Sequence, residues 1–122
     1  MITLNLPFPP SVNNLFINVG RKRVRAPRYV AWATEAGLRL NVQRPISIKG
    51  PVTLHYEFQE GQDRRKRDIG NLEKAVTDLL VQHAVIEADD NTIVREITLR
   101  WSGKVTGVLV SIVPHAVQEV AA

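Results

Sequence analysis

Residues 51–82 read PVTLHYEFQEGQDRRKRDIGNLEKAVTDLLVQ, and the stretch changes its period midway. At its start Val52, Leu54, Tyr56 and Phe58 alternate with Thr53, His55, Glu57 and Gln59, the period of two of a strand with one apolar face. From Ile69 to about His83 the spacing is helical. At roughly 100° per residue, Leu72, Ala75, Val76, Leu79 and Leu80 fall on one broad arc, with Asn71, Lys74 and Asp78 on a flank. A strand, a polar loop and an amphipathic helix therefore follow one another here, and the helix buries one side while offering the other.

Working outward, ITLNLPF alternates as a half-buried strand until PFPP ends it. SVNNLFINVGRKRVR, residues 11–25, holds Asn-Asn, Gly20 and a run of basic residues, and is expected to be a long functional loop. Pro27 suits the first turn of a helix over YVAWATEAGLRLNVQ, and Pro45 with Gly50-Pro51 closes that region. Beyond residue 83, AVIEADDNT makes a short acidic connection. TIVREITLRW and GVLVSIV are expected to be two strands joined around Ser102, Gly103 and Lys104 in an antiparallel hairpin. The order β-α-β-α-β-β predicts an α+β fold: a single domain over residues 1–113, with one mixed sheet and helices packed against it. Residues 114–122 have little to hold them and are expected to form a flexible tail.

The chain of 122 residues has no cysteine, which excludes a disulfide framework and thiolate metal sites. No apolar run approaches the roughly 20 residues of a membrane span, and MITLNLPFPP lacks the basic and apolar regions of a signal peptide. A cytoplasmic location without membrane contact is expected. Sixteen Lys and Arg oppose twelve Asp and Glu, and nine of the sixteen sit in two short segments. One holds Arg21, Lys22, Arg23, Arg25 and Arg28; the other holds Arg64, Arg65, Lys66 and Arg67. Such clusters repel themselves unless a polyanion relieves them, so nucleic acid is the natural partner.

Acids stand beside that charge. Asp68 follows the second cluster at a helix start, and Asp89 and Asp90 precede a strand. Mg2+ takes oxygen ligands and is commonly held by one or two carboxylates with waters and phosphate, so the three form a candidate metal set if the fold unites them. Each also has an ordinary reading: Asp68 as a helix N-cap, Asp89-Asp90-Asn91 as a turn, and Lys74 as a solvated cation. His55, His83 and His115 show no metal-ligand spacing, and no Gly-rich phosphate loop or G-x-S-x-G elbow is present. No small-molecule cofactor is expected. The residues alone point to a nucleic-acid binder with a candidate magnesium site.

Three motifs in order carry a resemblance to a known family. LPFPPSVNN near the start, RRKRDIGNLEKAVTDLL in the centre and VIEADDNTIV before the third strand resemble the RusA family of crossover junction endodeoxyribonucleases, over roughly residues 2–113. The resemblance implies a homodimeric resolvase that cuts four-way (Holliday) junctions in recombination and repair, using Mg2+ with Mn2+ as a substitute, in a bacterial or phage setting. It implies metal-binding and catalytic roles for Asp68 and Asp90, with Asp89 a supporting ligand and Lys74 a catalytic cation at the phosphate. Asn71 matches the motif asparagine and, with Arg21, Lys22, Arg23, Arg25, Arg64, Arg65, Lys66 and Arg67, is assigned to DNA binding. One position departs: the second aspartate of D-x-D-N is Gly70. Either fewer ligands suffice, or Asp63 or Glu73 substitutes, or cleavage is impaired and the protein binds junctions without cutting them. A basic RNA-binding module is a further alternative.

Overall fold

The computed structural model describes residues 1–116. Its centre is the strand expected from PVTLHYEFQE. In chain order the strands are β1 (Ile2–Leu6), β2 (Phe16–Val19), β3 (Lys22–Arg25), β4 (Val52–Gln59), β5 (Val94–Ser102) and β6 (Val108–Pro114). The helices are α1 (Pro27–Gln43) and α2 (Glu73–Gln82), with 3-10 turns at Val12–Asn14 and Ile69–Asn71. Four strands make one mixed sheet in the order β1-β6-β4-β5, in which β4 runs antiparallel to β6 and parallel to β5. The fold is α+β, as the element order predicts.

Val52, Leu54, Tyr56 and Phe58 are fully buried, and so are Val108, Val110 and Ile112 of the neighbouring strand. They meet Trp32, Ala36 and Leu40 of α1 and Ala75, Val76, Leu79 and Leu80 of α2 in one core. The helical arc from Leu72 to Leu80 is the buried face of α2, as its spacing demands. One buried polar link crosses this core. The Tyr56 hydroxyl lies 2.8 Å from Thr77 Oγ1, and Thr77 in turn donates to Glu73 Oε2 at 2.6 Å. Burial pushes the Tyr56 phenol far above its ordinary range, so it remains neutral and donates.

Three expectations need correction. The segment 11–25 is not a loop: after one 3-10 turn, β2 and β3 pair as a separate two-stranded hairpin turning at Gly20-Arg21. Phe-Ile-Asn-Val and Lys-Arg-Val-Arg both have residues suited to strands, and the signal was masked by the charge between them. The last two strands are not a hairpin either, because β4 lies between them. The connection 103–107 crosses the end of β4, a span of two strand spacings or roughly 10 Å, within reach of five residues. It is held there by Gln59, whose backbone N–H donates to Gly107 O at 2.9 Å while Gly107 N–H donates to Gln59 Oε1 at 2.9 Å. Gly107 has φ +73°, and a Cβ there would overlap Leu6 O, so the crossing needs glycine. Finally, the helix expected from Ile69 is divided: a 3-10 turn comes first, and α2 begins at Glu73 with Leu72 as its N-cap.

The start of the expected tail is held. Pro114 lies in β6, and the His115 backbone N–H donates to Pro51 O at 2.9 Å. The remainder of that tail, 117–122, lies outside the described residues.

Candidate functional site

A cleft of about 410 Å3 opens where two distant pieces of the chain meet. Phe8, Pro9, Pro10, Ser11, Asn13 and Asn14 form one wall, and Arg65, Lys66, Arg67, Asp68, Asn71 and Leu72 the other, with Arg28 and Trp32 of α1 behind. The N-terminal wall is fixed by the Trp32 indole N–H, which donates to Pro7 O at 3.0 Å. The opposite wall is fixed by Asp63. Its carboxylate takes both guanidinium nitrogens of Arg67 at 2.8 Å and the Arg65 backbone N–H at 2.9 Å. Those bonds, the Arg67 pair foremost, hold the Asp63 carboxyl down at about 2. The Arg67 guanidinium also lies over the Phe8 ring, 5.5 Å from its centroid, and so joins the two walls.

Asp68 is not an ordinary N-cap. Its backbone carbonyl accepts from Asn71 N–H at 3.1 Å, while its side chain makes no capping bond. Among the described residues its carboxylate enters no hydrogen bond or ion pair, leaving it open to a ligand in a cleft whose other charged side chains are all cations. Gly70, two residues on, has no atom within 4 Å of the place a Cβ would take.

The other catalytic and metal candidates, Lys74, Asp89 and Asp90, lie outside the cleft lining. Lys74 bridges Asp78 Oδ1 at 3.2 Å and Asp89 Oδ2 at 3.5 Å, tying the acidic turn to the first turn of α2. The Asp78 hydrogen bond, with smaller help from Asp89, pushes the Lys74 ammonium up, so it is charged at neutral pH. Asp90 turns back on its own segment, accepting from the hydroxyl and the backbone N–H of Thr92, the latter at 2.8 Å. The Thr92 hydroxyl is the main reason its carboxyl is held below the ordinary carboxylate range. Among the described residues, no three His, Asp or Glu side chains stand together as a metal-holding group. Asp68, Asp89 and Asp90 are therefore not gathered into one set. Their donors are nevertheless exposed oxygens only, the kind that fits Mg2+ or Mn2+, and Mg2+ needs few of them. Asp63 and Glu73, the two acids that could stand in for the missing aspartate, are occupied by Arg67 and Thr77 respectively.

Of the assigned DNA-binding residues, Arg65, Lys66, Arg67 and Asn71 reach the cleft, and Arg64 is exposed beside it. Arg21, Lys22, Arg23 and Arg25 stand apart on the β2–β3 hairpin. The comparisons agree with this arrangement of motifs. The family model described as Endodeoxyribonuclease RusA matches residues 7–113, which contain both walls of the cleft and the acidic turn. The chain belongs to the RusA family. The Crossover junction endodeoxyribonuclease RusA of Escherichia coli strain K12 is 35% identical over 81 residues, covering 66% of this chain and 67% of the relative. The protein of the same name from Shigella sonnei strain Ss046 is 32% identical over 81 residues with the same coverage.

For a RusA-family chain, the polar and aromatic residues that the sequence reading left without a site role are Ser11, Asn13, Asn14 and Trp32, with Arg28 grouped among the hairpin cations. All line the cleft beside Asp68. A signal was present: the first acid in the chain is Glu35, so the Asn-Asn pair and Arg28 sit in a long stretch without negative charge.

Proposed function

We infer that the protein is a structure-specific endonuclease that resolves four-way DNA junctions with Mg2+, Mn2+ serving as a substitute. The observation that carries this is the cleft itself: a free aspartate shares one wall with Arg65, Lys66, Arg67 and Asn71, across from Ser11, Asn13 and Asn14, and these cations and amides suit a phosphodiester backbone. Arg65, Lys66 and Arg28 would hold phosphate oxygens, and Asn13, Asn14 and Asn71 would offer neutral donors to the sugar-phosphate chain. Asp68 and Asp90 would hold the metal ion as a pair, with Asp89 kept on Lys74; when bound, the ion supplies Lewis-acid polarisation of the phosphate and an activated water. Lys74, charged and carried by the same turn of α2 that follows the 3-10 segment, would offset the charge that builds on the phosphate.

The experiment is cleavage of a synthetic four-way junction, compared with linear duplex and RNA, by the unmodified chain and by Asp90→Asn. The unmodified chain should cut the junction only when Mg2+ is supplied. The variant should lose cleavage and retain junction binding. Full activity of Asp90→Asn would refute the metal role given to this residue, and equal cutting of RNA would refute the substrate.

One observation favours a second reading, a junction-binding protein with impaired cleavage. The motif's second carboxylate is absent at Gly70, and Asp63 and Glu73 are both engaged elsewhere. Binding of the junction with no cutting under any metal would select it.

A further inference from the structure

The β2–β3 hairpin is unlike the rest of the molecule. All eight of its strand residues are exposed. It forms its own two-stranded sheet, separate from the four-stranded one. An isolated hairpin is marginal in water, and this one is secured at its root. There the Ala26 N–H donates to Leu15 O at 2.9 Å, both residues are buried, and the Phe16 ring meets Tyr29 edge-on. The distal part projects.

Directly opposed residues of an antiparallel pair share a face. The register places Phe16, Arg25, Asn18 and Arg23 on one face, and Ile17, Val24, Val19 and Lys22 on the other. The first face is basic, with Arg23 lying over the Phe16 ring at 4.9 Å. The second is aliphatic and partly in water, most so at its tip, with Val19 58%, Ile17 43% and Val24 37% exposed. Chains rarely spend three adjacent aliphatic side chains on an arm held clear of the core unless something covers them.

Charge identifies what does. The chain has no Asp or Glu before Glu35, and among the described residues none of Arg21, Lys22, Arg23 and Arg25 is ion-paired. Two copies of this arm packed together would gather eight cations without an acid between them. A polyanion that also exposes apolar surface meets both demands, and a DNA branch point, where base stacking is interrupted, is such a surface.

We propose that the β2–β3 hairpin enters the branch point of the junction, its cations on the flanking phosphates and Ile17, Val19 and Val24 against unstacked bases. This rests on the junction reading above and names the element that recognises the branch. It gives the arm a role different from that of the cleft: the cleft holds a backbone, whereas the aliphatic face tells a branch from a continuous duplex.

The test uses a junction carrying 2-aminopurine at the branch point, bound by the full chain in EDTA so that nothing is cut. Binding should raise the fluorescence as the base unstacks. The double variant Ile17→Ser, Val19→Ser should bind with an unchanged salt slope but without the rise, and its preference for junction over duplex should fall on the order of 10-fold. Val19→Leu, which keeps an apolar tip, should retain the rise, and the serine variant's own unchanged salt slope shows that its loss is not a folding defect. A full rise in the serine variant overturns the proposal. So does a fall to monomer in the serine variant by light scattering with its DNA signal intact, which would assign the face to a second copy. If the unmodified chain binds the junction without any rise, the wedge alone fails. If it shows no preference for the junction over duplex, the junction reading falls and takes the wedge with it.

Discussion

Gly70 stands where the motif resemblance places a second aspartate. Its φ is not among the positive values of the chain, and the space around its would-be Cβ is open. An aspartate there is therefore sterically free, and it would stand near the start of α2, where the macrodipole favours a carboxylate. Loss of even an outer partner of a metal ligand costs about 10–100-fold in affinity or activity. Gly70→Asp should accordingly raise Mg2+-dependent junction cleavage by roughly 100-fold while leaving metal-free junction affinity unchanged, as read by single-turnover cleavage and by binding in EDTA. No gain over an already efficient unmodified chain would show that Asp68 and Asp90 suffice. The departure at this position was legible in the sequence. That glycine sits there without strain, and that Asp63 and Glu73 are already committed to Arg67 and Thr77, was not, since both depend on where side chains meet.

At the scale of elements, two connections govern how the site is held. The first is the Tyr56–Thr77–Glu73 chain, which locks α2 to β4 through the core. Thr77→Val keeps the shape but leaves the buried Tyr56 hydroxyl without an acceptor, which costs about 1–3 kcal/mol. The denaturant midpoint should fall accordingly, with an unchanged m-value. A shift within error would mean that water reaches the phenol. The second is the basic segment between β4 and α2. Arg67 is tied to Asp63, whereas no ion pair engages Arg64 or Arg65 among the described residues. Replacing Arg64, Arg65 and Arg67 by Ala should weaken junction binding and flatten its dependence on log salt by about 0.9 for each phosphate no longer neutralised. Arg64 and Arg65 are expected to supply most of that change. An unchanged slope would remove this segment from the DNA interface. Periodicity revealed β4 and the buried face of α2, but it missed β2 and β3, whose strand-forming residues are interrupted by charge. It also mispaired β5 with β6, because adjacency in sequence says nothing about a strand inserted between them.

The whole molecule is small beside its proposed substrate. A four-way junction is resolved by two symmetric cuts, and a twofold assembly supplies two sites related by that symmetry. Light scattering at micromolar concentration should therefore give twice the 13.7 kDa chain mass. A monomer, both free and on DNA, would exclude the homodimer. Among the described residues no helix is long and apolar enough to cross a membrane, and the net charge of +4 suits association with a polyanion. What the sequence by itself determined is what depends on local order: the α+β class, the apolar faces of β4 and α2, the two basic segments, and the motifs of the RusA family. Those follow from residue periodicity and composition along one stretch of chain. Only the tertiary structure decided that the Phe8–Asn14 segment and the Arg65–Leu72 segment line one cleft, that Asp68 keeps a free carboxylate there while Asp89 and Asp90 are engaged elsewhere, and that the first basic cluster is split, with Arg21, Lys22, Arg23 and Arg25 on the hairpin and Arg28 at the cleft. These are meetings between residues far apart in the chain, and the packing of sheet and helices alone sets which of them come together.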